Sequence, residues 1–165
     1  MPVSIDIGFG DVIYPERVKM EFPVLLGMEI PEIYAYTIYS VIAEKFEAIV
    51  SLGLANSRYK DFYDIYVITG ECNLSGMELT SAIKETFEHR GTGYDDIVAF
   101  EEGFAEDPVR QNRWKAFIKK KKALLNVSFD EVTEFLKDFA GPIVNAIVED
   151  RAFERQWNCK ERRWN

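Results

Sequence analysis

Hydrophobic and polar residues alternate in short stretches near the start of the chain, a pattern that changes to helical spacing from residue 37 onward. Residues 3–7 show the period-two alternation of a strand. Residues 20–26 and 32–36 are two further short candidate strands. Two or three short strands do not make a stable sheet alone, so we expect them to be the edge of a larger sheet. Its other strands would lie in a missing N-terminal region or in a second copy of the chain.

The rest of the chain carries apolar residues at the spacing of amphipathic helices, with start and stop signals between them. Ser75 with Glu78 and Ser128 with Glu131 are spaced as capping boxes. Gly141 followed by a proline predicts a break between the last two helices. The predicted helices span residues 38–52, 57–68, 75–90, 108–125, 128–141 and 143–153. The expected fold class is α+β, mainly helical, with a small β element in residues 1–36 and a helical bundle in residues 37–165.

Composition places the chain among globular proteins, with 165 residues, 47% apolar and 29% charged. It contains no apolar run long enough to span a membrane and no secretory signal, so we expect a cytoplasmic protein. Cys72 and Cys159 are expected to be reduced thiols of a cytosolic protein and not a disulfide. One histidine and two distant cysteines cannot supply the ligands of a zinc site.

The net charge of −8 argues against a general nucleic-acid coat. Basic residues are nevertheless concentrated in residues 110–122 and in the tail, residues 151–163. These clusters are either solvated helix faces or a local basic surface that faces a phosphate-bearing substrate.

Lys45 lies within the apolar stripe of the helix predicted for residues 38–52, between Val41 and Ile49. A lysine on a buried face is costly unless its charge is paired. Lys45 is therefore either a snorkelling lysine at the rim of the stripe or a cation held in a cleft to bind phosphate.

The next helix has four charged residues in its first two turns. Lys60 and Asp64 are four residues apart, and Arg58 and Asp61 three apart, so both pairs can make contact. They are either capping ion pairs or a partly buried charge network beneath a cleft. Charges on the apolar faces of two consecutive helices favour the network. Asp6, in the first candidate strand, is either a surface residue or a carboxylate able to ligate Mg²⁺.

These residues lie in motifs that resemble those of AbiEii/AbiGii-like nucleotidyltransferases. Each motif is weak alone, but their order and spacing over nearly the whole chain are specific. The motifs are residues 4–11 (SIDIGFGD), 22–26 (FPVLL), 41–45 (VIAEK) and 56–64 (NSRYKDFYD), with later landmarks at 86–92 and 114–117.

The resemblance implies transfer of a nucleotide from an NTP, with Mg²⁺, to an RNA such as tRNA or to a protein acceptor. Family members include toxins of phage-defence and toxin–antitoxin systems, so an antitoxin partner is also implied. Carried over by motif, Lys45 and Arg58 would bind the nucleotide. Lys60, Asp61 and Asp64 would form the catalytic motif. Asp6 would stand near the metal-binding carboxylates.

Two departures from the family pattern affect this expectation. The sequence contains no D-x-D pair, which the family uses to hold metal, and the chain is expected to be a C-terminal part of the family's fold. Thr37 and Tyr39 stand where the family has Pro and Glu before the AEK helix. The alternatives to an incomplete enzyme are a non-catalytic interaction module, binding an antitoxin-like partner or a second copy through its strand edge, and a decayed fragment.

Overall fold

A computed structural model describes residues 10, 12–24, 27–121 and 125–165. Within them the protein is α+β and mainly helical, as predicted. The helices are α1 (Ile38–Leu52), α2 (Tyr59–Glu71), α3 (Gly76–Arg90), α4 (Pro108–Lys121) and α5 (Phe129–Val148). The strands are β1 (Val18–Glu21), β2 (Glu32–Ala35), β3 (Leu74–Ser75), β4 (Gln156–Asn158) and β5 (Arg163–Trp164). The strand predicted for residues 3–7 lies outside the described residues.

β1 and β2 form an antiparallel hairpin in which Met20 pairs with Ile33 and Lys19 pairs with Tyr34. Because side chains alternate along a strand, one face of the hairpin carries the apolar pair and the other carries the polar pair. Met20 is 44% exposed and Ile33 38% exposed. The hairpin therefore presents an apolar face that the described residues leave open to solvent.

α1 begins where the sequence predicts, because the Thr37 side chain accepts a hydrogen bond from the backbone N–H of Ser40. The segment before the hairpin is tied to this cap. The Thr37 and Ser40 hydroxyls donate to the carbonyl of Tyr14, at 3.0 and 2.8 Å, and the Tyr14 N–H donates to Ser40 Oγ at 2.9 Å. These bonds join the β element to the start of the helical bundle.

The helices enclose one apolar core rich in aromatic rings. α1, α2, α3 and α5 each contribute a buried face, and the Phe129 ring of α5 packs edge-on against Tyr59 and Phe62 of α2. From α4, Trp114 enters the same cluster and donates its indole N–H to the carbonyl of Val127 at 2.8 Å. The helices predicted from apolar periodicity therefore do share a single core.

The predicted break at Gly141 and Pro142 is wrong, because α5 continues through both residues to Val148. A proline removes one helical hydrogen bond and crowds the preceding turn. Phe139 and Ile143, on either side of it, are both buried. Burial of this apolar face offsets the local cost, so the helix stays continuous.

The helix predicted for residues 143–153 is present as far as Val148, as the last part of α5, and the tail beyond residue 155 forms strands. β4 pairs with β3 and with β5, giving a three-stranded antiparallel sheet in the order β3-β4-β5. Trp157 is 2% exposed and donates its indole N–H to the carbonyl of Thr69 at 2.7 Å. Trp164 donates to the carbonyl of Phe139 at 2.9 Å. Both tryptophans thus pack against the helices.

Three further predictions concern the cysteines, membrane-spanning helices and the start of α2. Cys72 and Cys159 are free thiols. Among the described helices, none is both long and apolar enough to cross a membrane. The helix expected to begin at Ser57 begins at Tyr59 instead, because the Asn56 side chain accepts from the Arg58 N–H and holds residues 56–58 in a turn.

Candidate active site

Lys45 and the N-terminal turns of α2 meet in a charge network between the first two helices. Lys45 lies on the face of α1 that packs towards α2. Its Nζ donates to Asp61 Oδ1 at 3.1 Å and to Asp64 Oδ2 at 2.6 Å. The Lys45 side chain is 18% exposed and that of Asp61 is 3% exposed. The lysine is therefore paired and partly buried, and it is not a snorkelling residue at the rim.

Two further cations complete this network, Arg58 at the N-cap of α2 and Lys60 in its first turn. Arg58 Nε lies 2.8 Å from Asp61 Oδ2, and Lys60 pairs with Asp64. The i,i+3 and i,i+4 contacts predicted from spacing are both confirmed. Arg58 and Lys60 are mostly exposed, with side-chain exposures of 58% and 56%, so their charges face solvent while Asp61 does not. The network contains three cations and two carboxylates, so its net charge is positive.

The network fixes the charge state of its two partly buried partners. Burial alone lowers the pKa of Lys45, but its hydrogen bonds to Asp64 and Asp61 outweigh that effect and raise the pKa above 10.5. Burial raises the pKa of Asp64, but the hydrogen bonds from Lys45 and Lys60 outweigh it and hold the pKa below 3.8. Both groups are charged at neutral pH. Asp64 in this state is a weak proton acceptor and suits an anchoring role better than that of a general base.

A cavity of about 270 Å³ opens beside this network. Lys45 and Arg58 line it on one side, and Arg90, from the C-terminal end of α3, lines it on another. Tyr36, which directly follows β2, lies at its edge and is 47% exposed. The cavity thus lies where the end of the hairpin, α1, the start of α2 and α3 meet, and it combines cations with an aromatic ring and the Glu44 carboxylate.

Arg90 is held in place by two carboxylates of α1. It pairs with Glu44, and its Nη1 donates to Glu47 Oε2 at 2.6 Å. Thr92 Oγ1 donates to the other oxygen of Glu47, also at 2.6 Å. Arg90 and its partners Glu44 and Glu47 are not among the site residues predicted from the sequence. Glu47 lies off the apolar stripe of α1, yet it is only 3% exposed. The sequence did contain a signal for Arg90 and Thr92, because both belong to the family landmark at residues 86–92.

The charges around the cavity are not evenly distributed. Arg90 faces two carboxylates, whereas Arg58, Lys60 and Lys45 together face two. The excess positive charge therefore lies on the α2 side. Lys45 Nζ carries three N–H donors and directs two of them to carboxylates, so one donor is not used by any described residue. An anion is expected to bind on this side.

The described residues do not fit a bound Mg²⁺. They contain no group of three His, Cys, Asp or Glu side chains placed to hold a metal ion. Asp61 and Asp64 already face Lys45, and Glu44, the carboxylate that lines the cavity, pairs with Arg90. A hard cation needs several oxygen ligands. Asp6, the predicted metal ligand, lies outside the described residues. Magnesium binding therefore remains an expectation from the resemblance.

The structure brings together five of the six residues selected from sequence. Lys45, Arg58, Lys60, Asp61 and Asp64 form one connected set of ion pairs. The contacts are observed, whereas the catalytic and nucleotide-binding roles assigned to these residues stay predictions.

Comparison with known proteins agrees with the motifs. A family model described as "Nucleotidyl transferase AbiEii toxin, Type IV TA system" matches residues 1–135. No curated protein and no solved structure matches the chain. The match includes α1, α2 and α3, and so the whole charge network and Arg90. The chain therefore belongs to the AbiEii family of nucleotidyltransferase toxins of type IV toxin–antitoxin systems.

Proposed function

We propose that this protein binds an NTP in the cavity beside Lys45 and Arg58 and serves in transferring its nucleotidyl group to an RNA or protein acceptor. The observation that carries this proposal is the Lys45 contact with Asp61 and Asp64, which joins two helices beside the cavity and leaves the excess positive charge on its α2 side. Membership of a nucleotidyltransferase family supports the same activity.

Each residue of the network has a role that its environment supports. Lys45 stays protonated and offers a remaining N–H to a phosphate oxygen, and the exposed guanidinium of Arg58 offers further donors. Asp61 and Asp64 hold these cations in position, and Lys60 adds positive charge at the rim. Positioning and charge stabilisation are the main contributions a protein makes to phosphoryl-type transfer. None of these roles requires a metal ion held by the described residues.

The test is to follow the melting temperature of the chain as each NTP is added, with and without Mg²⁺. A ligand at a hundred times its dissociation constant should stabilise the protein by about 2.7 kcal/mol. The Lys45→Ala variant should lose this response, measured against its own nucleotide-free baseline. Lys84→Ala, which removes an exposed lysine from α3, should keep it. A response that persists in Lys45→Ala, or none at millimolar nucleotide, would contradict the proposal.

A second candidate function, an interaction module, is favoured by the apolar face of the hairpin. Val18, Met20 and Ile33 are all more than a third exposed, and single hairpins with such a face gain stability by packing against another layer. We propose that a second copy of the chain packs against this apolar face. An antitoxin protein is the alternative partner that the family suggests. Sedimentation analysis should show dimers that Met20→Lys dissociates, whereas a strict monomer at all concentrations would exclude self-association.

A further inference from the structure

α4 is a basic helix in an acidic protein. The chain has 28 Asp and Glu against 20 Lys and Arg, yet the segment Pro108–Lys121 contains no Asp or Glu. Four cations occupy its exposed face: Arg113, Lys115, Lys119 and Lys120. Within the part of the chain that the structure describes, none of these four forms an ion pair, whereas Arg110 of the same helix pairs with Asp107.

These like charges are unfavourable for the isolated helix. Lys115 and Lys119 are four residues apart, a spacing at which equal charges repel. A solvated surface helix normally mixes both signs, as in the Lys60–Asp64 pair of α2. A run of cations whose repulsion is not relieved by ion pairs with the described residues indicates a polyanionic partner.

A cavity of about 540 Å³ lies directly beside this face, between α4 and the start of α5. Lys115 and Lys119 line it together with the polar side chains of Gln111 and Asn126. The Glu131 carboxylate also lines it and is engaged by Ser128 in the capping box of α5. Ile118 contributes an apolar wall. A volume of this size accommodates a small organic ligand, and amide groups beside an apolar wall match a base, which has polar edges and flat apolar faces.

The same helix packs against the one that carries the charge network. The Trp114 and Phe117 rings of α4 lie 6.4 and 5.9 Å from the ring of Tyr63, measured between centroids. Tyr63 directly precedes Asp64 in α2. A chain of phosphates that follows α4 therefore runs next to the helix of the proposed nucleotide site.

We propose that α4 and this cavity form a docking surface for a single-stranded polynucleotide, with the cations on its phosphodiesters and one unpaired base in the cavity. An acidic protein would match the cations but would leave the cavity unexplained. That the bound polynucleotide is the acceptor of the nucleotidyl group rests on the proposed function. Binding itself needs no NTP, so the two can fail separately.

The experiment measures binding of a fluorescent single-stranded RNA of mixed sequence to the full chain by anisotropy, without nucleotide, over a series of salt concentrations. Removing one lysine–phosphate contact lowers the slope of log affinity against log salt by about 0.7. The double variant Lys115→Gln/Lys119→Gln should therefore lower the slope by about 1.4, which at 0.1 M salt corresponds to affinity about 25-fold weaker. Both lysines are exposed, so the fold should not change.

Lys84→Gln/Lys160→Gln is the matched control, because it removes the same charge from exposed positions outside α4. It should leave RNA affinity within a factor of about two, as charges beyond a Debye length are screened. An RNA with abasic sites should bind more weakly than intact RNA if the cavity takes a base. DNA of the same sequence distinguishes the two polynucleotides, and either one bound through α4 supports the surface.

Three results would overturn the inference. The first is equal loss of affinity in the two double variants, which would show a general charge effect. The second is equal binding of intact and abasic strands. The third is preferential binding of polyglutamate, which would identify an acidic protein as the partner.

Discussion

Lys45 Nζ lies 2.6 Å from Asp64 Oδ2, although the two residues are 19 positions apart in the sequence and belong to different helices. The contact fixes how α1 and α2 meet, because Asp61, one turn earlier, accepts from the same nitrogen. A lysine with two carboxylates in a partly buried setting stabilises the folded state only while all three charges are present. Stability and the proposed nucleotide site therefore depend on the same three groups.

Replacement of Lys45 by Met should destabilise the fold by about 1–3 kcal/mol, because it leaves Asp61 and Asp64 without their shared donor. Lys60→Met is the matched comparison. Lys60 pairs with Asp64 from an exposed position, and its loss should cost only about 0.3–0.5 kcal/mol. Urea unfolding of both variants measures the difference. Equal costs would mean that the partly buried position of Lys45 adds nothing to the pair.

The lowered pKa of Asp64 predicts a specific loss of stability in acid. The folded-state pKa lies below the ordinary value of 3.8, so the contribution of Asp64 is complete above pH 3.8 and is lost as pH falls through the folded pKa. The unfolding free energies of the wild type and Asp64→Asn should therefore differ near neutral pH and converge at lower pH. A difference that stays constant down to pH 2 would contradict the pKa direction.

The raised pKa of Lys45 predicts the opposite dependence in alkali. The contribution of Lys45 to the free energy of unfolding is complete below pH 10.5 and is lost as pH rises through the higher folded-state pKa. The wild type should lose stability relative to Lys45→Met only above pH 10.5. Unfolding curves recorded between pH 9 and 12 test this, and convergence of the two proteins below pH 10 would contradict it.

Gly76 has no space for a side chain. A Cβ at this position would lie 2.6 Å from Phe153 Cδ1 and 2.7 Å from the carbonyl oxygen of Arg155, where the tail crosses the start of α3. Gly76→Ala should therefore displace the tail and cost about 1–3 kcal/mol. Gly141→Ala is the control, because its Cβ would meet nothing within 4 Å, and it should stabilise α5 by about 0.4–1 kcal/mol. Thermal unfolding of both variants should show shifts of opposite sign.

The sequence pattern predicts a domain boundary at residue 37, and we therefore expect residues 37–165 to fold without the β element. Removal of residues 1–36 takes away the hydrogen bonds of Tyr14 to Thr37 and Ser40 and the packing of its side chain on the core. The buried residues of the described core all lie at Ile42 or later and are kept. The shortened chain should keep its helical circular dichroism and unfold cooperatively, at a somewhat lower temperature. Loss of cooperative unfolding would show that the β element is part of the same folding unit.

Much of the local structure follows from the sequence because its causes are local. The bounds of α1 come from apolar spacing, and the start of α5 comes from the capping box of Ser128 and Glu131, in which both reciprocal bonds form. Lys60 and Asp64 meet because four residues make one helical turn. The charges on the apolar faces of two consecutive helices predicted that Lys45 belongs with this network, and the family motifs contain the same residues.

Other features were decided by contacts between distant segments. Pro142 predicts a break, yet burial of α5 on the core keeps the helix continuous. The tail, residues 151–165, has no strand pattern of its own, and it becomes a sheet because β3 supplies a partner for β4 and because the Trp157 indole reaches the carbonyl of Thr69. Strand pairing depends on the partner more than on local propensity.

The sequence by itself determined the helical bundle in outline, the N-caps Ser75 and Ser128, the charged residues on two apolar faces and the family. Only the tertiary structure decided that Lys45 lies against Asp61 and Asp64, that Arg90 reaches the same cavity held by Glu44 and Glu47, and that the cations of α4 border a second cavity. The reason is that apolar periodicity and capping act within a few residues. Which charges share a cavity depends instead on how helices separated by tens of residues pack together.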